Sequence, residues 1–113
     1  MRKRFRFPVK AFCLGATMVF AGVVSAADLA AGRAKSDMMC ANCHGADGMA
    51  TLPGAANLAG QQGEYLREQL RAFRSGTRQN PQMSVVAKNL SDADIENLSG
   101  WYASIKVTVQ LPD

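Results

Sequence analysis

Cys40-Ala41-Asn42-Cys43-His44 is the stretch of this chain whose residue types and spacing can do chemistry. Two thiols three positions apart with an imidazole directly after them form the pattern for covalent attachment of a c-type haem. Each thiol can add across one vinyl group of the porphyrin, and the turn that carries them presses His44 against one face of the iron. A neutral imidazole nitrogen is a good proximal iron ligand. Three tethers leave the bound group little freedom to lose.

The same residues have blander readings. A CxxC pair serves as a redox site in a thioredoxin-like βαβ setting, which this sequence lacks. It can form half of a zinc site, but four ligands are then wanted, and no Cys or His follows His44. Two cysteines of an exported chain could also form a disulfide; the adjoining His44 assigns them to haem instead.

His44 fills one axial position of the iron, and the chain has no second His for the other. A thioether is the remaining candidate, and a His/Met pair raises the potential and leaves no open coordination position. Only Met49 and Met83 follow the attachment motif. Met49 is five residues from His44 and must stay on its side, whereas Met83, 39 residues on and beside Pro81, can cross to the opposite face. A lone Met is ordinarily core filler. With a haem fixed at His44 and no rival in reach, Met83 is the expected sixth ligand.

The elements that position these residues begin after a segment that reads as a secretory signal, residues 1–26. Arg2, Lys3, Arg4, Arg6 and Lys10 make a basic start, Ala11 to Val24 is an apolar run, and Val24-Ser25-Ala26 supplies small residues for cleavage. The run of 14 residues is too short for a spanning helix. Cutting is expected after Ala26, with Ala27 as the alternative; an uncleaved N-terminal anchor is the competing reading. Cys13 reads as an apolar filler of the signal, and Lys10 spoils a lipidation motif. The whole sequence is basic at +4, but five of its 13 Lys and Arg lie in this segment. Residues 27–113 carry eight bases against nine acids, about −1, so nothing supports a nucleic-acid partner.

Those 87 residues bound the fold to one small domain, with no internal repeat or low-complexity tract. So short a chain is marginal on apolar burial alone and commonly needs a staple; a covalently held porphyrin would serve. Asp28 is an expected N-cap for a helix running to about Cys40, with Leu29, Gly32, Ser36 and Met39 on one stripe. Gly32 is costly inside a helix unless another backbone comes close. The Gly- and Ala-rich stretch 45–62 reads as a loop, hard to justify without a ligand to wrap. Gly63 or Glu64 opens a second helix to about Ser75, with Tyr65, Leu66, Leu70 and Phe73 as its apolar side and Gly76 as its terminator. Arg67, Arg71, Arg74 and Arg78 read as a solvated face rather than a binding patch. A short helix is expected at Val85 to Lys88. Ser91 caps a last helix with Asp92 and Asp94 in its first turn and Ile95, Leu98, Trp101, Tyr102 and Ile105 on its apolar stripe. Alternation appears only at Val107 to Leu111, which reads as a tail. The expected fold is all-α.

Residues 28–106 resemble a class I cytochrome c, and specifically one domain of the cytochrome c4 and bacterial c553 group. The resemblance is carried by Ala31-Gly32-Arg33-Ala34-Lys35, CANCHGADG, NLAGQ at 57–61, YLREQLRAFRSGTR at 65–78, NPQMS at 80–84 and LSDADIENLSGWYAS at 90–104. It implies three to five helices wrapped round one covalently attached haem c. Gly32 then resembles the glycine at which the first helix crosses the last, meeting Trp101; Leu58 resembles the leucine packed on the haem, and Met83 the axial methionine. Many relatives have Pro-Asn-Leu where this chain has Ala56-Asn57-Leu58, and that proline's carbonyl accepts a hydrogen bond from the proximal imidazole. An alanine carbonyl can do the same, on a less rigid loop. The c4 proteins carry two such domains; this chain shows one, so a mono-haem relative is expected.

What the resemblance implies is a periplasmic one-electron carrier, monomeric and without a substrate of its own. Its donor would be a quinol-oxidising complex or dehydrogenase and its acceptor a terminal oxidase or reductase, each touched through a small interface around the haem edge. The rival is a haem protein with a displaceable sixth ligand, acting as a peroxidase or gas sensor.

Overall fold

The computed structural model describes residues 26–112. The expected signal, apart from Ala26, lies outside the described residues, as does Cys13. Five helices follow in order: α1 Leu29–Met39, α2 Ala41–His44, α3 Gly63–Ser75, α4 Met83–Lys88 and α5 Asp92–Ser104. Among the described residues there is no strand, and 107–111 is irregular, as its reading as a tail predicts.

Local chemistry sets the boundaries. Asp28 caps α1 by accepting from the Ala31 N–H at 3.0 Å. Gly76 closes α3, as the sequence predicts. Ser91 and Asp94 form a reciprocal box at the start of α5, each side chain accepting from the other's backbone N–H at 3.0 Å. The short fourth helix starts two residues before its expected position, so Met83 is its first residue. Asn80 explains the shift: its side chain accepts from the N–H groups of Gln82 and Met83 at 3.0 and 2.9 Å.

The core is built by α3, α4 and α5. Leu66, Phe73, Ala87, Leu90, Ile95, Leu98 and Tyr102 are buried, with Met39, Cys40, Leu58, Leu70, Met83, Trp101 and Ile105 packed around them. Two expectations about the stripes need correction. Leu29 and Tyr65 are about two-fifths exposed, at 44% and 43%. On α1 the buried positions are instead Gly32 and Ser36, both small.

Small residues there let α1 cross α5 at close range. A Cβ at Gly32 would lie 2.1 Å from the Asn97 carbonyl oxygen and 2.9 Å from Trp101 Cβ. The crossing is therefore where the sequence puts it, but the contact is Asn97's backbone and the root of Trp101 rather than a covering indole ring. The ring instead carries the Arg33 guanidinium, 5.5 Å from its centroid. Asn97 also accepts from the Asp28 N–H at 2.8 Å, and Lys35 pairs with Asp94 at 3.0 Å, so polar ties flank the crossing.

The arginines of α3 are not a free solvated face. Arg71 pairs with Glu96 at 2.7 Å, Arg74 with Asp92 at 2.5 Å, and Arg67 with Glu64 and Glu96. Arg74 also donates to the Leu90 carbonyl at 2.9 Å. Single exposed pairs contribute about 0–1 kcal/mol; here several share acceptors and join α3 to the first half of α5. Arg78 lies over the Phe73 ring, 4.6 Å from its centroid.

Candidate haem site

The site is laid down where α1 ends. Cys40 is the C-cap of α1 and the N-cap of α2, its N–H donating to Ser36 and its carbonyl accepting from His44 at 3.0 Å. One continuous pair of turns therefore presents Cys40, Cys43 and His44. Both thiols are unpaired and half-buried, and His44 is buried.

The loop that follows folds back on this turn. The N–H groups of Thr51 and Leu52 donate to the Cys43 carbonyl at 3.1 and 3.3 Å, and those of Leu58 and Ala59 to Gly48. The Ala50 N–H donates to the Asn57 side chain at 2.7 Å. Gly45 permits the reversal straight after His44: its φ is +78°, and a Cβ there would meet the Met49 carbonyl oxygen at 2.1 Å. These ties carry the Ala56 carbonyl to His44 Nδ1, 2.7 Å away. A carbonyl can only accept, so Nδ1 bears a proton, and in the neutral ring Nε2 keeps the lone pair. The alanine thus does the work expected of the usual proline.

Leu58 comes back from the same loop, half-buried against the core. Met83 is brought in by α4, also half-buried on that core, with its backbone held by Asn80. Met49, the other methionine after the motif, is 44% exposed. Gly32 and Trp101 sit at the α1–α5 crossing.

Sequence reading missed the polar contacts behind Cys40. Ser36 Oγ and Tyr102 Oη are 2.6 Å apart in the core against which Cys40 packs. Burial pushes the Cys40 thiol up. Burial also pushes the Tyr102 phenol up to about 12. The available signal was a serine on one apolar stripe and a tyrosine on the stripe that packs against it. The Trp101 Nε1–H and the Ser99 hydroxyl are buried without a protein partner, the costlier condition for a polar group.

This donor set fits a covalently held haem: two free thiols three positions apart, an imidazole directly after them whose Nδ1 donates to a carbonyl, and a thioether on a separate packed element. Elsewhere among the described residues no cluster of His, Cys, Asp and Glu could hold a metal ion. None of the described helices is long and apolar enough to cross a membrane.

The family profile described as cytochrome C oxidase, cbb3-type, subunit III matches residues 27–101. The chain belongs to the class I c-type cytochromes. This cytochrome is 39% identical over 98 residues to cytochrome c4 of Pseudomonas aeruginosa, an alignment covering 86% of this chain and 48% of the relative. It is 39% identical over 82 residues to cytochrome c-554(548) of Halomonas halodenitrificans, covering 70% of this chain and 98% of that one. In three dimensions it is similar to the cytochrome c4 of Acidithiobacillus ferrooxidans, with a TM-score of 0.67, 30% identity, and coverage of 74% of this chain and 53% of the other. The cytochrome thus spans about half the length of the c4 proteins it matches, while covering nearly all of the Halomonas protein. The all-α fold expected from the sequence is the one these relatives share, and haem-based electron transfer is the chemistry they imply for it.

Proposed function

We propose that this chain is a periplasmic one-electron carrier holding a single haem c, with Cys40 and Cys43 as thioether donors and His44 and Met83 as the axial ligands. The observation that carries this reading is the His44 Nδ1 to Ala56 carbonyl contact of 2.7 Å. It puts a proton on Nδ1, the arrangement that a ligand on Nε2 requires. When bound, the haem supplies a reversible Fe(II)/Fe(III) couple. The protein's residues do the rest. Cys40 and Cys43 would tether the haem, His44 would supply an imidazole to the iron, and Leu58 would help keep water from it. Met83 would supply the second axial ligand, which would favour the reduced state and leave no coordination position for a substrate. The chain then has no substrate of its own and acts by contact with redox proteins. These are a donor such as a quinol-oxidising complex or dehydrogenase, and an acceptor such as a terminal oxidase or reductase. Export rests on the basic start and apolar run of residues 1–26.

The test is Met83→Ala in the haem-loaded protein. The ferric sulfur-to-iron absorption band should vanish, the potential should fall, and the ferrous form should bind carbon monoxide. A variant with the parent's band and potential would remove Met83 from the site. A parent that already binds carbon monoxide and lacks the band would favour a catalytic or sensing haem protein with a displaceable sixth ligand.

A further inference from the structure

The carboxylates that neutralise the bases of α3 do not reach every base of the chain. Lys35, Arg67, Arg71 and Arg74 each pair with an acid. Among the described residues Arg33, Arg78, Lys88 and Lys106 have no carboxylate in ion-pair reach. Arg78 stands five positions before Met83 and Lys88 five after it, and both are exposed. Residues 75–91 hold no other charge, so the segment that carries Met83 has two bases and no acid. The loop that carries the Ala56 carbonyl to His44 is the reverse: residues 41–62 hold one carboxylate, Asp47, and no Lys or Arg.

The fold gathers these groups on the outer side of α4. Lys88, Ser84 and Pro81 line one shallow cavity together with Phe73, Arg74 and Asn80. Arg78 stacks on that Phe73, 4.6 Å from the ring centroid. Arg74 is already matched by Asp92, and Glu68 lines the neighbouring groove with Arg71, so the charge left over here is positive. The polar side chains of the cavity also have protons to give. Asn80 Oδ1 accepts from the Gln82 and Met83 N–H groups, and Ser84 Oγ accepts from the Asn80 N–H at 3.0 Å. The Asn80 amide protons and the Ser84 hydroxyl proton are left without an acceptor. Val85, next to them on α4, is 65% exposed. Unmatched cations and free donors around an uncovered aliphatic side chain suit a surface that bears carboxylates. Such a charge match steers the encounter and fixes its orientation.

We propose that the surface from Arg78 to Lys88, on the outer side of α4, is the docking face for an acidic redox protein. The partner's carboxylates meet Arg78 and Lys88, and its apolar contact falls on Val85. This rests on the carrier reading, in which Met83 is an iron ligand carried by the same helix. One electron crosses the contact, and no atom or proton moves with it. The loop on the His44 side offers such a partner no cation, so charge selects which side of the protein is presented.

Two oxidants of opposite charge read this surface in the haem-loaded protein: ferricyanide, an anion, and tris(phenanthroline)cobalt(III), a cation. Each takes one electron from the ferrous protein, leaving ferric protein with ferrocyanide or the cobalt(II) complex. Stopped-flow rates are compared for the parent, for Arg78→Gln with Lys88→Gln, and for Arg33→Gln as a cation removed elsewhere. At low ionic strength the double variant should react about fourfold more slowly with ferricyanide and about fourfold faster with the cobalt complex. Both differences should vanish at about 1 M salt, and Arg33→Gln should match the parent. Opposed changes are the signature, because an altered potential or a loosened fold moves both rates the same way. A hexaglutamate peptide stands in for the acidic protein surface. At constant ionic strength it should slow the parent's reaction with ferricyanide and leave the double variant's unchanged. No protection by the peptide, or equal protection by inorganic phosphate, overturns the docking. Rates in the double variant that match the parent's, or shifts of one sign with both oxidants, overturn it too. Should the double variant unfold, Lys88→Glu decides alone, at a side chain with no ion pair to lose: opposed shifts support the proposal and unchanged rates sink it. A parent without a reversible ferrous–ferric couple would overturn the carrier reading and this docking together. A reversible couple with rates indifferent to Arg78 and Lys88 overturns the docking only.

Discussion

Gly32→Ala ought to stabilise an ordinary helix, and in this protein it should do the opposite. Alanine is favoured over glycine in a helix interior by about 1 kcal/mol. Yet a Cβ at Gly32 would stand 2.1 Å from the Asn97 carbonyl oxygen, 2.7 Å from its carbon and 2.9 Å from Trp101 Cβ. Two of those atoms are backbone and cannot swing aside, so α1 and α5 must separate by roughly 1 Å to restore ordinary contact. Overpacking typically costs about 1–3 kcal/mol, and contact with rigid backbone puts this site at the upper end. Setting that against the propensity gain leaves a net loss of about 2 kcal/mol, or about 8–16 °C in melting temperature for a domain of this size. The separation should spread further, because α5 packs on α3 and α3 on α4, which carries Met83. Circular dichroism and the sulfur-to-iron band, followed together during thermal unfolding of the haem-loaded protein, provide the assay. The band should weaken below the helical melt, while absorption from the His44 side persists. A Gly32→Ala protein melting at or above the parent would refute the argument.

Two further outcomes follow from the site and the caps. Cys40→Ala with Cys43→Ala should leave a chain with little cooperative helical melt, because so small a core depends on its staple; circular dichroism of the haem-free variant checks this. Asp94→Ala should cost about 1 kcal/mol at neutral pH, the scale of a lost helix cap. The Ser91 backbone N–H, with Lys35 beside it, holds the Asp94 carboxyl below its ordinary 3.8. Its contribution is therefore present above that value and lost as pH falls through the lower folded one. Denaturant melts from pH 6 to pH 2 should show a shallower acid decline in the variant than in the parent.

The attachment turn and the main helices were legible because their signals are local. CxxCH needs no tertiary context, and Asp28, Gly76 and Ser91 end or begin helices through contacts a few residues away. Gly32 was readable for a different reason: a helix-interior glycine is a local cost that asks for a partner. The partner's identity was not readable, since which atom of α5 meets Gly32 depends on the crossing geometry. The arginines of α3 were misread because their carboxylates lie up to 29 positions away, on a helix whose rotation the sequence does not fix. Ser36 and Tyr102 hid in stripes that periodicity marks as apolar, and their pairing spans 66 positions. Ala56 was anticipated only through the resemblance, since its carbonyl is a backbone group and carries no residue-type signal.

Tyr102 and the crossing at Gly32 also impose an order of events. Cys40 packs against the core that includes Tyr102, and α5 docks on α1 across a separation of 65 positions, from Gly32 to Asn97. Such a long-range contact closes late, since its loop entropy must be met before it is rewarded. The turn from Cys40 to His44 is closed by local hydrogen bonds and can form before that docking, and its thiols stay only half-buried after it.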